Sequence, residues 1–169
     1  MLKKIITLSV CLLPLTLINA KENQNNIKIA DEYLEAYKVF DVKKMASFYQ
    51  EDSVFIDPTS EIFGPKNTYN MKGQKVIVDT LSKLIEQTGG IVLDFDLKHK
   101  YEAGGHVTFI ADLKLSSGKG DNLTTACAPI TTIINIKEGK VIEHRDYFSY
   151  NQYMKTHKKG DQACSGVYQ

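Results

Sequence analysis

Between Ile91 and about Tyr150 the hydrophobic pattern has a period of two, and that property alone excludes an all-helical chain. Ile91, Leu93, Phe95 and Leu97 alternate with Asp94, Asp96 and Lys98. After a turn, Val107, Phe109, Ala111, Leu113 and Leu115 share one face, and Ser116-Ser117-Gly118-Lys119-Gly120 ends that run. Thr124 to Ile136 is apolar or neutral on both faces, as expected of a central strand covered from both sides. Glu138-Gly139 turns it into a last strand, Val141 to Tyr150.

Ahead of Ile91 the spacing is helical. Ala30, Tyr33, Leu34, Tyr37 and Phe40 fall on one face, which predicts a helix from about Ile27 to Phe40. Asp41 is placed to cap a second helix that buries Val42, Met45, Ala46 and Tyr49. A short strand, Ser53 to Asp57, follows, and Pro58 holds Asp57 extended. Pro58 to Lys72 reads as a loop whose Phe63 and Tyr69 can fold over a cavity mouth. Gly73 to Thr88 reads as a third helix with Ile77, Leu81, Leu84 and Ile85 inward, stopped by Gly89-Gly90. The fold class is therefore α+β: a cone-shaped, curved antiparallel sheet wrapped around three N-terminal helices, with a conical cavity between them.

Lys3 and Lys4 precede an apolar run from Ile5 to Ile18 that closes at Ala20, the pattern of a cleavable signal peptide over residues 1–20. The run is short for a membrane span of about 20 residues and contains Pro14, so no membrane anchor is expected in the mature form. Localisation is expected to be secreted or periplasmic. Without the leader, 19 basic residues face 20 acidic ones and no long basic run occurs, which argues against nucleic acid as a partner. About 149 residues then suit a single domain, 21–153, with a tail at 154–169. Cys127 and Cys164 survive maturation, and export permits a disulfide that would clip the tail to the domain.

Three segments carry a resemblance: Glu32-Tyr33-Leu34-Glu35-Ala36-Tyr37, the stretch Phe48-Tyr49-Gln50-Glu51-Asp52-Ser53-Val54-Phe55-Ile56-Asp57-Pro58, and the closing Gly139-Lys140-Val141-Ile142-Glu143-His144-Arg145-Asp146-Tyr147-Phe148. With the layout, they resemble the nuclear transport factor 2-like superfamily, in its SnoaL-like polyketide cyclase and ketosteroid isomerase-like branches. The resemblance implies a general base at Asp57 and an oxyanion-binding hydroxyl at Tyr33. The strand Ala128-Pro129-Ile130-Thr131 matches the one that carries a protonated aspartic acid in the isomerases, and Thr131 stands there instead, a weaker donor. The final strand adds His144 and Asp146, which share the inward parity of Ile142, Phe148 and Tyr150. Phe55, Phe109, Ala111, Leu113 and Phe148 complete the expected pocket wall, with Thr131. Epoxide hydrolysis would need an arginine two residues before Asp112; Ile110 holds that position, and the strand's parity turns Asp112 outward.

Two carboxylates and a histidine in an apolar pocket suit proton abstraction next to a carbonyl, which needs no cofactor. The rival reading is a non-catalytic ligand-binding or accessory domain, and a weaker third is an envelope assembly subunit. The four histidines lack paired ligand spacing, so no metal site is expected. The partner is a small hydrophobic molecule. With Thr131 and Cys127 inward, Ile130, Thr132, Ile134 and Ile136 would form an apolar outer face, which the resemblance reads as a homodimer surface.

Overall fold

The computed structural model describes residues 13–64 and 69–164. The first part of the expected leader, residues 1–12, lies outside them. Helix α1 spans Leu13–Lys38, so it begins well before Ile27 and runs through the end of the expected leader. No helix among the described residues is long and apolar enough to cross a membrane. The helix is broken where Phe40 takes a left-handed φ of 49°, and the Asp41 side chain then caps α2 (Val42–Phe48) by accepting from the Lys44 N–H at 3.0 Å.

The first strand, β1, is longer than the sequence suggests, Tyr49–Asp57, and takes in the acidic residues Glu51 and Asp52. The Pro58 to Lys72 segment is not a plain loop. It holds a 3-10 turn, Pro58–Phe63, and a strand, β2 (Tyr69–Lys72), that pairs with β1 so that Phe55 faces Met71. Gly73, at φ 97°, then starts α3 (Gln74–Thr88), and its N–H bonds the Ser53 carbonyl at 2.8 Å. Gly89 ends α3 in the left-handed conformation. The remaining strands are β3 (Ile91–Ala103), β4 (His106–Ser117), β5 (Thr124–Lys137) and β6 (Lys140–Phe148).

The curved, unclosed sheet runs in the order β2-β1-β6-β5-β4-β3. It is mixed rather than wholly antiparallel, because β1 and β6 pair in parallel across the fold. The core lies between the helices and the sheet's concave face. Tyr33, Ala30 and Leu34 of α1 and Ile77 and Leu81 of α3 pack with Val107, Phe109, Ala111 and Leu113 of β4. In β3 only Ile91 and Leu93 are fully buried; Leu97 is exposed, next to a bulge between Leu97 and His99.

Strand β5 corrects one expectation. Ile130, Thr132, Ile134 and Ile136 are all buried, while Thr131, Ile133 and Asn135 alternate with them on the less buried side. Thr131 therefore points away from the cavity, and the four residues assigned to an apolar outer face belong to the core. The sequence could not fix this parity because both faces of the strand are apolar or neutral; register with β6, where Thr132 pairs with Asp146, decides it.

Strand β6 pairs with β5 only from Ile130 onward. The chain then forms α4 (Tyr150–Thr156) and β7 (Lys158–Lys159), and β7 pairs with β5 at Thr124 and Thr125. In between, the Thr156 hydroxyl donates to the Cys127 carbonyl at 2.8 Å and accepts from the Cys127 N–H at 2.9 Å. The Cys127–Cys164 disulfide forms, with the Cα atoms 5.6 Å apart.

Candidate functional site

A cavity of about 280 Å³ opens between α1, α3 and the sheet, near the lower limit of roughly 300–1,000 Å³ typical of ligand sites. Aliphatic side chains such as Leu81, Leu93, Leu113 and Ile130 form one part of its wall. Eight lining residues are tyrosine or phenylalanine, and two carboxylates, Asp57 and Asp146, border it.

Asp57 closes β1 with φ −128° and ψ 94°, the extended backbone that Pro58 demands. It is only 5% exposed. Its Oδ1 accepts the Thr59 N–H at 2.9 Å and also the Thr59 hydroxyl, and its Oδ2 accepts the Tyr150 hydroxyl at 2.6 Å. Thr59 Oγ1 in turn accepts the Phe148 N–H at 2.9 Å, which ties Asp57 to the end of β6. Asp57 thus does what any Asp-Pro at a strand end does, capping the 3-10 turn, and it also faces the cavity. Burial pushes its proton affinity above that of an ordinary aspartate; the Thr59 and Tyr150 hydrogen bonds oppose this, and the nearby Asp146 charge adds to it. Burial wins.

Asp146 reaches the same cavity from β6 and is 4% exposed. Thr132 donates to its Oδ1 at 2.6 Å and Tyr37 to its Oδ2 at 2.7 Å. His144 Nε2 lies 2.9 Å from Oδ2, although the N–H is not aimed along that line, so the contact is electrostatic rather than a well-formed hydrogen bond. On the far side of the ring, Nδ1 is 2.8 Å from the Tyr33 hydroxyl, which meets Tyr49 Oη at 2.5 Å. Burial raises the Tyr33 and Tyr37 hydroxyls far above their ordinary range, so both keep their protons and donate.

The structure brings Asp57 and Asp146 together at the cavity and sets Tyr33 and His144 behind it. The Phe55 ring stacks on the imidazole, centroids 4.0 Å apart, and Tyr37 meets its edge at 4.7 Å. Phe55 and Tyr37 line the cavity, and His144 and Tyr33 do not. Tyr33 therefore cannot reach a ligand oxygen, and its effect on the site runs through His144. Of the expected wall, Phe55, Leu113 and Phe148 line the cavity, whereas Phe109 and Ala111 are buried in the core beneath it. Thr132, not Thr131, faces inward, and it serves Asp146 rather than the cavity wall.

Residues missed as site groups are Tyr37, Thr132, Thr59 and Tyr150. Tyr37 lies one helical turn from Tyr33 on the same face, and Tyr150 continues the inward parity of His144, Asp146 and Phe148; both signals were present in the sequence. Asp112 faces outward, 3.2 Å from Lys98 Nζ. Among the described residues, no group of three His, Cys, Asp or Glu side chains is placed to hold a metal ion.

An α+β cone whose helices pack into a curved, unclosed sheet is the nuclear transport factor 2-like fold, and the chain has that fold. No protein-family model matches the sequence, and no curated protein matches it significantly. Solved structures do. A protein of Shewanella putrefaciens described as a SnoaL-like polyketide cyclase is 25% identical, with a TM-score of 0.63 over 78% of this chain and 94% of that one. A Shewanella denitrificans protein of the same description is 22% identical, with a TM-score of 0.64 over 78% and 95%. An epoxide hydrolase of M. tuberculosis is 15% identical, with a TM-score of 0.59 over 79% and 90%.

Proposed function

We propose that the chain binds a small molecule with an aromatic or aliphatic body in this cavity and moves a proton on it, with Asp57 as the base. The observation that carries the reading is Asp57 itself, a buried carboxylate that borders an apolar cavity and whose proton affinity is raised by desolvation. Asp146 is the second carboxylate at the cavity. His144 and Tyr33 act through Asp146 as positioning residues, and Tyr150 fixes the Asp57 carboxylate at 2.6 Å.

One observation favours a second reading, non-catalytic binding: all four oxygens of the two carboxylates already accept hydrogen bonds from the protein. Asp57→Asn separates the two. Under the leading reading it lowers turnover about 10²–10⁴-fold, the usual contribution of a general base, and this loss far exceeds any change in ligand affinity. The wild-type rate should fall as pH drops, with a midpoint above the ordinary aspartate range, because the base must be ionised to accept a proton. Turnover unchanged in the variant would remove Asp57 from the chemistry.

Export is part of the proposal, supported by the N-terminal pattern and by the Cys127–Cys164 disulfide, which an oxidising compartment favours. Recovery of the protein from the producing cell with Met1 still attached would count against it.

A further inference from the structure

We infer that the ligand of this cavity carries a positive charge: a small amine or ammonium compound with an aromatic or aliphatic body. The inference rests on reading the cavity as the ligand site, and it names the chemistry the site selects.

The first support is what borders the cavity. Asp57 and Asp146 do, and among the described residues no lysine, arginine or histidine does. The groups that satisfy Asp57 are two hydroxyls and one backbone N–H, all neutral. The imidazole beside Asp146 is fully buried behind Phe55 and Tyr37. A carboxylate in an apolar surrounding calls for a compensating charge, and the wall of this cavity supplies none.

The second support is the aromatic wall. Tyr150 meets both Phe63 and Phe148 edge-on, with centroids 4.9 Å apart in each pair and interplanar angles of 83° and 90°. Rings set at right angles present faces as well as edges to the space they enclose, and ring faces attract cations, most strongly where water is excluded. Carboxylates and ring faces thus favour the same charge sign. An anionic ligand meets repulsion from both, and a neutral one gains from neither. The volume of about 280 Å³ suits one ring with a short aminoalkyl arm rather than a polycyclic body. A bound cation also offsets the repulsion between the two carboxylates, so that Asp57 is ionised, the state from which a base must start.

The test uses the oxidised full-length chain and three probes that share a phenol ring: tyramine, 4-ethylphenol and 4-hydroxyphenylacetate, with a positive, neutral and negative arm. In isothermal titration calorimetry at neutral pH, tyramine should bind about tenfold tighter than 4-ethylphenol, and 4-hydroxyphenylacetate weakest of the three. In Asp57→Asn the preference for tyramine over 4-ethylphenol should shrink at least about threefold, with 4-ethylphenol itself little changed. If 4-ethylphenol binds as tightly as tyramine in the wild type, the charge inference is overturned and the ligand cavity stands. If none of the three binds, both fall. The wild-type comparison decides the matter even where the variant does not fold.

Discussion

Replacing His144 with alanine is expected to destabilise the fold by about 3–5 kcal/mol, the range seen on truncating a fully buried ring to alanine. The imidazole is fully buried, and its loss acts three ways at once. Asp146 loses a neighbour at 2.9 Å, the Tyr33 hydroxyl loses its partner at 2.8 Å, and the Phe55 ring loses the surface on which it stacks. The space left behind adds a cavity cost of the kind seen on truncating core side chains. Folded domains are stable by only about 5–15 kcal/mol, so this variant sits close to the unfolding threshold. Urea unfolding followed by circular dichroism measures the loss, and a midpoint equal to that of the wild type would show that the contact contributes nothing. Tyr37→Phe, which deletes one donor to the same carboxylate, should cost less, about 1.5–3 kcal/mol. A double-mutant cycle of His144→Ala with Asp146→Asn isolates the shared part.

The second large effect concerns the tail. Opening the Cys127–Cys164 bridge, by a reductant or by Cys164→Ser, should lower stability by about 3–4 kcal/mol on the chain-entropy account, given a sequence separation of 37. The loss reaches the site as well, because the bridge closes a segment that includes α4, whose Tyr150 holds Asp57 and whose Tyr153 lines the cavity. Ligand affinity should therefore fall together with the unfolding midpoint. Identical urea midpoints with and without reductant, in a sample whose thiols are shown free by mass spectrometry, would refute the prediction.

The sequence carried more of the fold than of the site. Alternation in β4 was legible because one face is apolar and the other mostly polar, and it turned Asp112 outward. In β6 both faces carry polar residues, and the parity taken from the resemblance holds for His144, Asp146 and Phe148. It does not hold at the start of the strand, where Val141 rather than Ile142 is fully buried beside an irregularity in the pairing with β5. Alternation failed in β5, where Ile130 to Ile136 is uncharged on both faces and a slip of one residue exchanges Thr131 for Thr132. Strand β2 was hidden because Tyr69 to Lys72 is only four residues long, too short for an alternating pattern to show, and its pairing depends on β1. The depth of Tyr33 and His144 was beyond a parity argument. Parity gives the face of a strand or helix, and only the rings of Phe55 and Tyr37 determine which inward group reaches the cavity and which lies behind it. Asp57, singled out from its place before Pro58, kept both of its possible roles, as a cap and as an acid at the pocket.

One consequence of the tail's position concerns association rather than ligand binding. The first half of β5, from Thr124 to Pro129, has β4 on one side and, in place of β6, α4 and β7 on the other. A strand border with open N–H and C=O groups is a template on which another chain can add a strand, and folded proteins cover such borders. Pro129, which offers no N–H, blunts one end of this one, and the bridge from Cys127 keeps the tail over the rest. The same Cys164→Ser sample, watched by light scattering, should therefore grow in size with time at concentrations where the oxidised protein does not: the disulfide guards the chain against its own copies.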